Sequence, residues 1–122
     1  MTKKTNAFGE LGERIAARWL ESQGYTVLAR RWRSGHRDVD VIAARDGVVV
    51  FVEVKTRAAL EFGDPVEAVD VRKQRSLVRS AREWLAKHDS TRVDGYRFDV
   101  IGILLRDRRV FVRHVPDAWR VG

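Results

Sequence analysis

Two acidic residues and one lysine, Asp40, Glu53 and Lys55, are the residue types that could cleave a phosphodiester bond. Glu53 and Lys55 lie at the end of the apolar run VVVFVEVK at positions 48–55. A strand this apolar should be buried, and burying charged groups is costly unless they are paired or bind a metal ion. A metal-dependent hydrolytic site would explain why these charges are there.

The dipeptide Asp46-Gly47 predicts a two-residue hairpin turn between two strands. With that turn, Arg45 pairs with Val48, and Asp40 lies directly opposite Glu53. Opposed side chains have Cβ atoms roughly 5 Å apart, and like charges there are destabilising. Two carboxylates in this position are suited to one divalent cation, because Mg²⁺ prefers oxygen ligands. A one-residue change of register would turn a strand's side chains to the other face and break the site.

Lys55 follows Glu53 by two residues in the same strand. Residues two apart in a strand project from one face, so its ammonium group should lie beside Glu53. There it could orient or deprotonate an attacking water, or offset charge in the transition state. Val54 faces the other side, but its carbonyl oxygen is a candidate metal ligand. The alternative is a solvated strand end where Glu53 and Lys55 pair with each other or with Arg57.

The charge balance favours a polyanionic partner. The chain has 24 Lys and Arg against 17 Asp and Glu, a net charge of +7. Nucleic acid is the simplest such partner. The alternative is a basic domain from an arginine-rich proteome. The sequence has no cysteine, which excludes disulfides, a zinc knuckle and a thiol nucleophile.

The length of 122 residues predicts a single domain over residues 1–122. The longest apolar stretch is too short for a membrane span, and the residues after Met1 lack the hydrophobic segment of a signal peptide. We therefore expect a cytoplasmic protein without membrane contact. A homodimer would let two sites address two strands, but nothing in the sequence requires one.

The elements that must position these residues are predicted in the order αβββαββ. The first helix, residues 7–22, has an apolar stripe of Leu11, Ile15 and Trp19 and a small-sided face that carries Glu13. Strands follow at about 25–31, 39–44 and 48–55, then a helix at 71–87 and strands at 96–105 and 109–115. The third strand, second helix and fourth strand form a crossover unit. The fold class is therefore α/β, with a mixed β-sheet flanked by helices.

Four basic residues are candidates for nucleic-acid binding: Arg30, Arg33, Arg57 and Lys73. Arg30 and Arg33 flank Trp32 in a segment typical of phosphate and base contacts, unless Trp32 packs into the core. Arg57 could hold a phosphate or pair with Glu61. Lys73 opens the basic face of the second helix and could contact a phosphate or be simply solvated. A structural role is favoured for Asp99.

Taken together, these segments resemble the PD-(D/E)XK nuclease superfamily, which has a restriction-endonuclease-like fold. More narrowly, the chain resembles the YraN family of small bacterial endonuclease-like proteins. The resemblance is carried by Gly9–Glu13, Asp38–Ala43, Phe51–Arg57, Phe62–Pro65, Lys73 and Arg97–Val100. One departure is Arg37-Asp38-Val39-Asp40, where the family usually has Gly-Glu-Ile-Asp.

The resemblance implies that Asp40, Glu53 and Lys55 form the catalytic triad. It also implies that Glu13 is the helical acid that some members add to a metal site, here with Asp40, Glu53 and Val54. The implied cofactor is Mg²⁺ or Mn²⁺.

The predicted function is thus a metal-dependent DNA endonuclease. Structure-selective cleavage is favoured over sequence-specific cleavage, because phosphate contacts position a nucleic acid without identifying its bases. One alternative is a non-catalytic nucleic-acid-binding domain that retains the fold. Another is an interaction module whose acids and Lys55 form a structural ion cluster.

Overall fold

The computed structural model describes residues 3–35, 37–58, 65–88 and 93–120. Within these ranges the chain forms seven main elements: α1 (Lys3–Ser22), β1 (Thr26–Ser34), β2 (Arg37–Arg45), β3 (Val48–Arg57), α2 (Val71–Lys87), β4 (Gly95–Arg106) and β5 (Arg109–Trp119). A short 3₁₀-helix, Pro65–Ala68, precedes α2. The predicted order αβββαββ and the α/β class are confirmed.

The five strands form one sheet in the order β1-β2-β3-β4-β5. Strands β1, β2 and β3 are an antiparallel meander, and β5 is antiparallel to β4. Strand β3 is parallel to β4 because α2 crosses over between them. The predicted mixed sheet is therefore confirmed, and α2 brings the chain back across it.

The β2–β3 hairpin has the predicted register. Asp46 and Gly47 both have left-handed φ angles, 52° and 80°, as a type I′ turn requires. Arg45 pairs with Val48, and the pairing continues to Val41 opposite Val52. The next opposed positions in this register are 40 and 53.

The two helices cover opposite faces of the sheet, and each face has its own core. The core on the α1 side includes Ala16, Leu20, Val41, Val50, Val52, Val54 and Ile101. The core on the α2 side includes Val39, Ile42, Phe51, Leu77, Ala81, Trp84 and Phe98. Strand β3 is buried on both faces, which explains its nearly continuous run of apolar residues.

Helix α1 packs against the sheet with two adjacent faces. Of the predicted stripe, Ile15 and Trp19 pack against the core, whereas Leu11 is exposed. On the small-sided face, Ala16 and Leu20 are fully buried, and a Cβ atom at Gly12 would collide with the side chain of Thr56. The small residues therefore let the helix approach the end of β3 closely, as a face of small side chains predicts.

Element boundaries differ modestly from the prediction. Helix α1 begins at residue 3 instead of 7, and β1 covers residues 26–34 instead of 25–31. Helix α2 has the predicted bounds, and its N-cap is Asp70, whose side chain accepts a hydrogen bond from the backbone N–H of Lys73 at 2.8 Å. No helix in the described part of the chain is long and apolar enough to cross a bilayer.

Candidate active site

The carboxyl groups of Asp40 and Glu53 are neighbours at the end of the β2–β3 hairpin. Asp40 Oδ2 accepts a hydrogen bond from the backbone N–H of Val54 at 2.8 Å. The carboxyl group of Asp40 lies close enough to that of Glu53 to raise its own pKa, and Glu53 is only 5% exposed. The structure therefore brings together the two acids that the hairpin register placed opposite each other.

Strand β2 is irregular at Asp40. Val39 and Ile42 both belong to the core on the α2 side, although strict alternation would put them on opposite faces. In the β1–β2 pairing, the position opposite Asp40 is that of Arg31, whose φ angle is left-handed at 51°. The break in alternation leaves the Asp40 side chain within reach of groups from both layers of helix.

The charge state of the pair is strongly perturbed. Burial raises the pKa of Asp40 well above its ordinary value, and the neighbouring Glu53 raises it further. The N–H of Val54 and the ammonium group of Lys73 oppose this shift. Two carboxylates in contact cannot both ionise without a penalty, so the pair favours a shared proton or a bound cation.

One oxygen of Glu53 lacks a hydrogen-bond partner. Glu53 Oε2 is buried and accepts no hydrogen bond from the described residues. Lys73 Nζ lies 3.4 Å away, close enough for an ion pair but without hydrogen-bond geometry. A buried acceptor left in this state is unfavourable, so this oxygen is available to a ligand.

Lys55 projects on the side of Glu53, between the sheet and the segment that leads to α2. Its neighbour on β4 is Gly102, where an added Cβ would lie 2.5 Å from Cγ of Pro65. The Lys55 side chain forms no hydrogen bond or ion pair with the described residues. The alternative in which Lys55 pairs with Glu53 is therefore not what this part of the chain adopts.

Glu13 lies close to the pair but is held by another residue. It is 9% exposed, and Arg31 Nε lies 2.5 Å from its Oε1. Burial raises the pKa of Glu13, the hydrogen bond from Arg31 opposes this, and the Asp40 carboxylate raises the pKa again. Arg31 is the site residue that the sequence did not single out; its only signal was its place in the Arg30–Arg33 segment.

The donor set at the pair fits a divalent cation of the Mg²⁺ type. Mg²⁺ is usually bound by one or two carboxylates and keeps several waters. Asp40 and Glu53 supply two carboxyl groups, one with the orphaned oxygen. Among the residues that the structure describes, no three acidic or histidine side chains form a metal-ligand group. Roles for Glu13 and for the Val54 carbonyl as metal ligands stay predictions.

The predicted nucleic-acid residues are spread over the surface around the site. Arg30 and Arg33 are exposed on β1, and Arg33 Nε lies 3.6 Å from Asp38 Oδ1. Trp32 between them is half-buried against the core on the α2 side, as the alternative predicted. Arg57 is half-buried at the end of β3. The predicted partner of Arg57, Glu61, lies outside the described residues.

Asp99 is the centre of a separate, buried ionic network. It is 0% exposed and accepts hydrogen bonds from Arg97 Nε at 2.9 Å, from the backbone N–H of Asp117 at 3.0 Å, and from His114 Nε2 at 2.7 Å. Burial alone would raise the pKa of Asp99, but these hydrogen bonds together lower it. Arg97 also donates to the Tyr25 hydroxyl. The network joins the α1–β1 connection to β4 and β5, in keeping with the structural role predicted for Asp99.

The fold and the site define an α/β protein with a five-stranded mixed sheet and a buried carboxyl pair at the end of its central hairpin. Residues 12–103 match the family model described as "Uncharacterised protein family UPF0102". The chain belongs to this family, and the predicted YraN-type membership is confirmed. The matched segment contains Asp40, Glu53 and Lys55.

Two relatives match over nearly their whole length. A UPF0102 protein of Chloroherpeton thalassium is 44% identical over 122 residues, covering 93% of this chain and 94% of the relative. A UPF0102 protein of Myxococcus xanthus is 42% identical over 115 residues, covering 94% of this chain and 90% of the relative.

Among solved structures, the chain is similar to SfsA of Pyrococcus furiosus in complex with Ca²⁺. The identity is 19% and the TM-score is 0.43. The match covers 96% of this chain, which spans 65% of the SfsA chain.

Proposed function

We propose that this protein is a metal-dependent nuclease that hydrolyses phosphodiester bonds in DNA and selects its substrate by structure. The observation that supports this most directly is the contact between the buried carboxyl groups of Asp40 and Glu53. Placing two acids side by side is unfavourable for folding, and Glu53 Oε2 has no hydrogen-bond partner among the described residues. A site for a divalent cation accounts for both features.

In this proposal Asp40 and Glu53 hold Mg²⁺ or Mn²⁺, with the Val54 carbonyl and Glu13 as further candidate ligands. Such a cation would act as a Lewis acid on the phosphate and lower the pKa of a water molecule. The backbone N–H of Val54 fixes the orientation of the Asp40 carboxylate. Arg31 contacts Oε1 of Glu13, so Oε2 is the oxygen that Glu13 could offer to the cation.

The remaining catalytic role belongs to Lys55. Its ammonium group makes no contact that would hold it back among the described residues, and it projects on the side of Glu53. It is placed to orient the attacking water or to offset the negative charge that develops on the phosphate. Both effects are stronger in a partly buried site than in bulk water, because the effective dielectric constant is lower.

The basic surface would hold the DNA backbone. Arg30, Arg33, Arg57 and Lys73 are the proposed phosphate contacts, and a net charge of +7 favours a polyanion. Such contacts position a nucleic acid without reading its sequence, which favours recognition of a DNA structure. The proposal places the protein in the cytoplasm, with DNA preferred to RNA, and leaves a homodimer as a prediction.

A second candidate is a non-catalytic nucleic-acid-binding protein that retains the fold. Two observations favour it. The described residues contain no group of three metal-ligating side chains, and Glu13 is tied to Arg31. This candidate predicts salt-dependent binding of DNA without cleavage under any metal condition.

The test incubates the protein with supercoiled plasmid, single strands and four-way junctions, in Mg²⁺, Mn²⁺ or chelator. We expect cleavage only with a divalent metal, and a loss of about 100-fold or more in Asp40→Asn and Lys55→Ala. Asp46→Asn is the matched control, because it makes the same chemical change at the other end of the hairpin and Asn-Gly also suits the turn.

Cleavage that survives in both site variants would assign the activity to a contaminant or to another site. DNA binding without cleavage of any substrate would favour the non-catalytic candidate.

A further inference from the structure

The exposed side of α2 carries a row of four arginines, here called the α2 arginine row: Arg72, Arg75, Arg79 and Arg82. Their spacing of three and four residues puts them on one face of the helix, with neighbours about 5–6 Å apart. None of them forms an ion pair with a described residue, whereas arginines elsewhere in the chain do. The row is therefore a strip of positive charge that pairs with no acidic side chain in the described ranges.

This arrangement is unfavourable for the helix itself. Like charges three or four residues apart destabilise a helix. The first turn of α2 has no acidic residue. Arg72 and Lys73 lie there instead, and the positive end of the helix dipole repels their positive charges. Folding does not explain the row, whereas a negatively charged ligand would.

A groove lies beside the row, between α2 and the end of β5. It has a volume of about 380 Å³. Val78 and Trp119 contribute its large apolar surfaces. Its charged residues are Arg75, Arg79, Arg82 and Arg120, the last of which pairs with Asp117. Among the described residues that line the groove, none is acidic. An apolar surface edged by cations suits a ligand with flat apolar groups on an anionic backbone.

Trp119 is held as a flat surface in this groove. Its ring stacks on Phe98 with the centroids 5.1 Å apart and the planes 15° apart. Its side chain is half-buried, so the rigid ring still meets the groove. An aromatic ring fixed from one side is a suitable platform for a nucleobase.

One end of the groove lies in the first turn of α2. Val71 and Gln74 line it there, and Lys73 in the same turn contacts Glu53 from another face of the helix. A polymer that lies along the groove therefore has one end at the helical turn whose lysine contacts the Asp40–Glu53 pair.

We propose that this groove binds one unpaired polynucleotide strand and leads it to the carboxyl pair, an inference that rests on the proposed nuclease function. The arginines contact the phosphates, while Val78 and Trp119 contact the bases. Only an unpaired strand exposes the faces of its bases, whereas a duplex offers mainly its phosphates to such a surface. The substrate class is thus DNA with a single-stranded arm or gap.

The test measures binding by fluorescence anisotropy in chelator, with a labelled oligothymidylate of about 12 nucleotides and a duplex of the same length. The variant is Arg75→Ala/Arg79→Ala. Its matched control is Arg14→Ala/Arg18→Ala, because these two arginines are also exposed and four residues apart, but lie on α1 on the other face of the sheet. Both variants remove two positive charges.

We expect the groove variant to bind the single strand about ten-fold more weakly, and its salt slope to fall by about 1.4, or 0.7 for each lost phosphate contact. The control should change affinity less than about two-fold, as a remote charge change would. Trp119→Leu should lower single-strand affinity by about five-fold or more and leave duplex binding nearly unchanged. Circular dichroism checks that each variant is folded.

Equal affinities of the groove variant and its control would overturn the groove assignment, even if the wild type cleaves DNA. Equal losses for strand and duplex, with no effect of Trp119→Leu, would overturn the single-strand preference. If the groove variant loses binding but the wild type never cleaves, the groove stands as a binding surface and the nuclease proposal fails.

Discussion

Lys73 Nζ lies 3.4 Å from Glu53 Oε2, and this contact joins the first turn of α2 to the end of β3. A helix surface that looked like a simple phosphate-binding face thus also reaches into the candidate active site. Lys73 supplies positive charge beside two carboxyl groups that are otherwise poorly compensated. The contact suggests that the lysine stabilises the site before a cation binds.

Replacing Lys73 by Met should therefore lower stability in chelator. We expect a loss of about 1 kcal/mol, since the lysine is partly exposed and screened. That corresponds to a melting temperature roughly 4 °C lower. The difference should narrow in saturating Mg²⁺ or Mn²⁺, because the cation would replace the missing charge. Lys87→Met is the control, since Lys87 on the same helix pairs with Glu83 instead. If the stability difference between wild type and Lys73→Met is the same with and without metal, Lys73 does not stabilise the carboxyl pair.

Asp40 should make the fold less stable as the pH rises. Its pKa is raised in the folded state, by burial and by Glu53. Its contribution to folding stability is therefore fully present below its unfolded pKa of about 3.9 and is lost as the pH rises through its folded pKa. In chelator at about pH 8, Asp40→Asn should be more stable than the wild type by roughly 0.5–1 kcal/mol.

The measurement is the melting temperature of wild type, Asp40→Asn and Asp46→Asn between about pH 5 and pH 8. The advantage of Asp40→Asn should grow with pH, while Asp46→Asn should follow the wild type. If Asp40→Asn is instead the less stable protein near pH 8, the acids form a structural ion cluster.

Asp99 should behave in the opposite way. Its hydrogen bonds lower its folded pKa, so its contribution is present above the unfolded value of about 3.9 and is lost as the pH falls through the folded value. Asp99→Asn leaves Arg97 without its buried partner and should lose about 3 kcal/mol at neutral pH. Asp107→Asn, in the exposed β4–β5 turn, is the control. Chemical unfolding at neutral pH and near pH 3 measures the loss of stability caused by Asp99→Asn. An equal loss at both pH values would contradict a lowered pKa of Asp99 in the folded state.

Local signals predicted the parts of the fold that depend on neighbouring residues. Asp46-Gly47 encodes its turn through backbone conformation, and Asp70 caps α2 through one short-range hydrogen bond. From that turn, counting along the strands was enough to place Asp40 opposite Glu53. These features need no knowledge of the tertiary structure.

The contacts that the sequence did not reveal join residues distant along the chain. Arg31 holds Glu13 across 18 positions, and His114 reaches Asp99 across 15. The sequence offers several arginines as possible partners for each acidic residue. Which of them forms the ion pair depends on how the helices are placed on the sheet. The small-sided face of α1 predicted a close approach of another segment, but not that Thr56 is the residue opposite Gly12.

The missing side chain at Gly102 has a consequence for how the site is assembled. Pro65 occupies the space that a Cβ there would need, so the returning chain rests directly on β4. That path determines where α2 begins, and with it where Lys73 meets Glu53. A Gly102→Ala substitution on β4 would therefore push the crossover away from the sheet. It would change the contact between Lys73 and Glu53 without replacing either charged residue.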